Sequence, residues 1–237
     1  MKFFTAMTIP KIKEQSMGSE DLFHRRKNHG ISKTRDSRSY KRIQNRREIR
    51  ERILIVCEGE RTEPNYFRAF IPQGSFVFQV DVRGTGYNTI RLVKEARRVS
   101  KEARNEGEPY DEVWCVMDRD QFPVEHYNTA IEIAKSRDFF VAYSNEAFEL
   151  WYLLHFQYFD TGISRQQYIV KLSGHLNRPY RKNDCRMYSI LLSSQSTALK
   201  NAETLYQKNN KPTDNPSTAV FRLVKRLNDL RSKSTQS

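Results

Sequence analysis

The sequence predicts an α/β protein: a mostly parallel sheet of about four strands flanked by helices, with a helical C-terminal portion and a basic, disordered N-terminal arm. Three observations carry this expectation. Between residues 52 and 143, short β-branched or aromatic runs alternate with amphipathic helical stretches, the signature of βαβ units. From Asn145 onward the apolar spacing is almost wholly helical. Up to Arg52 the chain carries fifteen Lys and Arg against six Asp and Glu, with few large apolar side chains. Such a segment buries too little surface to offset the entropy of ordering. The expected organisation is an arm over 1–50, an α/β core over 51–160 and a helical extension over 161–237 that packs on the core.

The elements follow in order. Arg52–Cys57 ("RILIVC") is a buried strand, and Thr62–Phe70 opens a helix with Thr62 as cap and Pro64 in the first turn. Phe76–Val82 is a strand that ends at a glycine-rich turn, "RGTGYNT". Asn88–Arg104 is a helix with a basic outer face, carrying Ile90, Val93, Ala96 and Ala103 on its inner one. Glu112–Met117 and Phe139–Tyr143 are strands around a helix over His126–Arg137. Helices then follow over 146–156, 165–172, 189–208 and 216–230, with a loop at "KNNKPTDNPS". Ser144 and Asn145 read as caps of the first of these, and Ser217 and Thr218 as caps of the last.

A net charge of +13 over 237 residues points to a polyanionic partner. For the arm itself, phosphate attraction and a solubilising tail are both open. Cys57, Cys115 and Cys185 lie far apart without a CxxC pair, so reduced thiols are expected. The start "MKFFTAMTIPKIK" has too short an apolar stretch for a signal peptide, and no run reaches transmembrane length. The expectation is a soluble, cytoplasmic protein with no membrane role.

Two strand ends carry the chemistry. "ILIVCEGERTEP" runs from a buried strand straight into glutamates, and "VWCVMDRDQF" does the same with Asp118 and Asp120. Parallel sheets gather functional groups at the carboxyl ends of their strands. Asp118 and Asp120, two apart, point the same way on extended backbone; Glu58 faces them if its strand is the neighbour. Three converging carboxylates repel unless a cation joins them, and Mg2+ (or Mn2+) takes oxygen ligands of this kind. The bland alternative is that these acids favour helix N-termini. Gly59 allows close approach after the strand. Glu60 and Glu63 fit either capping or the same site, and Arg61 either a phosphate or a carboxylate.

Further along, Glu149 is out of place on the apolar helix "EAFELWYLLHF" and needs a partner if buried; an extra ligand or base is one reading. His155 reads as a core histidine. "GHLNRPYRK" offers Arg178, Arg181 and Lys182 around Tyr180, either a phosphodiester grip with stacking help or an ordinary solvated loop.

The blocks "ILIVCEGERTEPNYF", "RGTGYNT", "VWCVMDRDQF", "YSNEAFELWYLLHF" and "NPSTAVFRLVKRL" resemble, in order, those of the RloB-like family, over about Arg52 to Leu230. These are bacterial proteins encoded near restriction-modification loci and in abortive-infection pairs. The resemblance implies a TOPRIM-like sheet, the Mg2+-binding fold of primases, topoisomerases and OLD-type nucleases. Glu58 then stands at the first motif, in acid/base chemistry or metal binding, with Asp118 and Asp120 as the metal-holding pair of the second. It further implies an AAA- or ABC-type ATPase partner and a nuclease effector in anti-phage defence, acting on DNA, tRNA or other RNA. No topoisomerase tyrosine motif or primase zinc ribbon is present. A non-catalytic nucleic-acid- or ATPase-binding module and another phosphoryl-transfer activity are the alternatives.

Overall fold

The structure, a computed structural model, describes residues 51–71, 78–119 and 123–235. The basic arm over 1–50 and Asp120 lie outside the described residues.

A single sheet has the strand order β2-β1-β3-β4-β5. Strands β1 (Glu51–Cys57), β2 (Phe78–Gly84), β3 (Glu112–Asp118) and β4 (Phe140–Asn145) are parallel, each next to its neighbour in that order. The fifth strand, β5 (Ser217–Thr218), pairs antiparallel with the end of β4. It adds to the four strands expected, because two residues carry no readable period. Thr218 is held there by tertiary bonds, its hydroxyl donating to the Tyr143 carbonyl at 3.0 Å. The same hydroxyl accepts from the Val220 amide at 3.2 Å and so caps the following helix, as expected.

β1 is buried on both sides, as a parallel sheet's central strand must be. Ile53, Ile55 and Cys57 face one core, with Phe67, Trp151, Leu172 and Leu223. Leu54 and Val56 face the other, with Leu92, Ala96, Met117 and Ala130. The second face is covered by α2 (Thr89–Asn105) and α3 (Val124–Lys135). The first is covered by α1 (Thr62–Phe70), α4 (Glu149–Leu153), α5 (Arg165–Leu176), α6 (Met187–Leu191), α7 (Gln195–Lys208) and α8 (Val220–Thr235). No helix among the described residues is long and apolar enough to cross a membrane.

Two sets of expected caps are corrected, and the core histidine and buried thiols are found as expected. Arg61, not Thr62, precedes α1, and the Thr62 hydroxyl instead donates to Asn183 Oδ1 at 2.9 Å. Ser144 and Asn145 cap no helix. They end β4 opposite β5, and the Asn145 amide donates to the Asp214 carbonyl at 2.7 Å, pinning the loop before β5. His155 is a core histidine: Nδ1 lies 2.9 Å from the Trp151 carbonyl, and burial lowers its pKa to about 4. Cys57 and Cys115 are buried thiols.

Candidate active site at the strand ends

The register of β1 on β3 sets Cys57 against Val116. One residue further, the Glu58 amide donates to the Val116 carbonyl at 2.9 Å, and the Asp118 amide donates to Glu58 Oε2 at 3.3 Å. The Glu58 carboxylate therefore leans across onto the backbone at the end of β3, and both acids line one cavity. The glycine-rich turn after β2 closes on the same place. Thr85 and Gly86 donate their amides to the carbonyls of Cys57 and Glu58 at 3.1 and 2.9 Å. Gly86 has φ +64°, and a Cβ there would lie 2.6 Å from Glu60 Oε1. A Cβ on Gly59 would lie 2.2 Å from Glu63 Oε2, so a bare backbone lets that carboxyl fold in under the turn.

These loops enclose a cavity of about 560 Å3 whose lining includes Glu58, Arg61, Glu63, Asp118, Glu149 and Lys182. Glu63 and Glu149 are buried. Burial, and then the neighbouring Glu149 charge, hold the Glu63 carboxyl above its ordinary range, against the pull of its own backbone hydrogen bond. Glu149 opens α4 and receives a hydrogen bond from the Tyr180 hydroxyl at 3.2 Å. Burial, with Glu149 alongside, raises the Tyr180 pKa far above the usual phenol value, so this hydroxyl stays a donor.

The cations divide in two. Arg61 and Lys182 line the cavity. Arg178 pairs with Asp184 at 2.8 Å, and exposed Arg181 is not among the lining residues. Tyr180 is buried against Glu149 and is no stacking platform; the segment's contribution to the cavity is Lys182 and Asn183. Arg165, which no sequence signal singled out, lies in the cavity with Nη2 3.1 Å from Asp118 Oδ2. It stands 47 residues from Asp118 in the chain and arrives at the first position of α5, presented by the Ser164–Gln167 capping box.

Among the described residues, no group of three His, Cys, Asp or Glu side chains is placed to hold a metal ion. Glu58 and Asp118 are the described members of the expected trio. By donor chemistry the pair fits a hard cation, since both offer carboxylate oxygens, while the Arg165 guanidinium competes for one oxygen of Asp118.

The family model for RloB-like proteins matches residues 53–227. No curated protein and no solved structure matches the chain significantly. The matched span runs from β1 into α8, taking in both strand-end acids and every described residue of the cavity, and on that extent the chain belongs to the RloB-like family.

Proposed function

We propose that the chain is a Mg2+-dependent nuclease, with Mn2+ able to substitute. In this reading it is the effector of a bacterial abortive-infection system and works with an AAA- or ABC-type ATPase. The observation that carries this reading is the meeting of Glu58 and Asp118 in a cavity shared with Arg61, Arg165 and Lys182. A phosphodiester needs cations to hold its phosphate and a carboxyl group to move a proton, and both line one cleft. Glu58, Asp118 and Asp120 are the residues that would hold the ion, which when bound polarises the phosphoryl group and offsets charge on the leaving oxygen.

The rest falls to the chain's own side chains. Arg61 and Lys182 draw the phosphate in, Arg61 with a guanidinium suited to two-point contact. Glu63, kept protonated toward higher pH by burial, is suited to give a proton. Glu149 is fixed in direction by the Tyr180 hydroxyl and so can orient what the cavity binds. DNA and tRNA both fit these groups, because phosphate contacts carry no base information.

The Arg165–Asp118 ion pair favours a second reading. A carboxylate already neutralised by an internal guanidinium suits a binding module that needs no ion. The two readings are separated by incubating plasmid DNA and bulk tRNA with the wild type and with Asp118→Asn, each with Mg2+ and the ATPase partner. Cleavage by the wild type, lost at least 100-fold in a variant of unchanged melting temperature, supports the nuclease. Full activity in the variant removes Asp118 from the mechanism.

A further inference from the structure

Helix α2 carries more positive charge than its fold needs. Its inner face, Leu92, Val93, Ala96, Val99 and Ala103, is buried against the sheet. Its outer face exposes Arg91, Lys94, Arg97, Lys101 and Arg104. Lys94, Arg97, Lys101 and Arg104 recur at i, i+3, i+7 and i+10, so they form one stripe about 15 Å long. Arg98 shows the alternative use of a cation on this helix: it is held by Glu95 at 2.6 Å and Glu102 at 2.6 Å. The five others make no ion pair among the described residues.

The stripe also has a place. Asn88, which caps α2 by accepting from the Arg91 amide at 3.2 Å, lines the acidic cavity together with Tyr87. Tyr87 is 43% exposed, so its ring is open to contact. Asn88 lines a second, smaller cavity as well, of about 250 Å3, with Arg91, Lys94 and His126. Asn88 thus joins the acidic cavity to a second one at the start of the row of cations, where Arg91 and Lys94 line it. A membrane-seeking helix would need an exposed apolar face, and none of the exposed large apolar residues lies on α2.

We propose that α2 is the track for a single-stranded stretch of nucleic acid entering the cavity. Lys94, Arg97, Lys101 and Arg104 neutralise successive phosphates and Tyr87 stacks on a base at the mouth. Row and ring together match how single strands are held without regard to sequence. The track builds on the reading of the cavity as a phosphodiester site, but its test reads binding and not cleavage.

The full-length chain is titrated with fluorescein-labelled 20-nucleotide single-stranded DNA and RNA in EDTA, over a series of salt concentrations. The quadruple substitution Lys94→Gln, Arg97→Gln, Lys101→Gln, Arg104→Gln is expected to weaken binding at least tenfold. It is also expected to lower the slope of log affinity against log salt by about 3. Tyr87→Ala alone is expected to weaken binding about tenfold with the slope unchanged. Removing four other exposed charges, at Lys171, Lys200, Lys208 and Lys211, is expected to cost less than threefold. Several results would overturn the track: no binding by the wild type, unchanged binding by the folded quadruple variant, or equal losses from the two charge-removal variants. So would a stripe that serves anionic phosphatidylserine vesicles and not the oligonucleotides.

Discussion

The two faces of the sheet are built from different materials. On one, Tyr66 packs edge-on against Phe67, Phe148 and Tyr188, with ring centroids 5.4, 5.8 and 5.4 Å apart, and Trp151 lies fully buried beside them. On the other, α2 and α3 rest on the strands through small residues, among them Ala96, Ala103, Ala130 and Ala134. The aromatic face needs six helices to cover it and has depth enough to bury Glu63, Glu149 and His155. The alanine face holds its helices close and keeps their charges outside. Depth on one side thus makes room for buried ionisable groups, and thinness on the other leaves a charged outer surface.

The two faces should differ most at the large rings. Trp151→Ala should cost about 3–5 kcal/mol, because the rigid aromatic cluster cannot collapse into the space left. Ala96→Gly on the thin face should cost only about 1 kcal/mol, mainly through backbone entropy. Urea unfolding monitored by far-ultraviolet circular dichroism reads both, and equal losses would mean that the faces are not unlike in packing.

Acid sharpens the same contrast. His155 is held neutral, with its folded pKa near 4 against an ordinary 6.5. As pH falls below 6.5 the unfolded chain takes up a proton that the folded chain refuses. Stability is therefore fully present above about pH 6.5 and declines toward pH 4, by roughly 3 kcal/mol at most. Glu63, whose carboxyl is raised by burial, acts in the opposite sense above its ordinary value of 4.5. Melting temperatures at pH 7 and 5 should fall less for His155→Leu than for the wild type. An unchanged pH dependence would show that the buried imidazole is not the group responsible.

Much of this architecture was legible in the residues, and what was not has a physical cause. The β-branched run into "CEGE" and the apolar run into Asp118 locate two strand ends, but their adjacency was left open by the sequence and comes from the β2-β1-β3 order of the sheet. Glu149 was legible as a carboxylate out of place on an apolar helix, and the structure gives it a partner in Tyr180. Tyr180 itself was misread because a tyrosine between arginines looks solvated, whereas a glutamate 31 residues earlier draws it inward. Arg165 left no local trace, since its nearness to Asp118 depends on the whole chain between them. The helix over 146–156 shortens to Glu149–Leu153 because Ser144 and Asn145 are taken up by β5 and its preceding loop. Among the described residues the strand expected over 76–82 runs on to Gly84, which pairs with Cys57 and carries the turn to Glu58.

The proposed chemistry stands on the strand-end acids forming a cation site. The most direct measurement is a Mn2+ titration of the full-length protein, read by electron paramagnetic resonance, beside Glu58→Gln and Asp118→Asn variants of matched melting temperature. Saturable binding by the wild type below millimolar Mn2+ is expected, weakened at least tenfold by either substitution. A folded wild type that binds no Mn2+ at millimolar concentration would contradict it, as would variants that bind as tightly as the wild type.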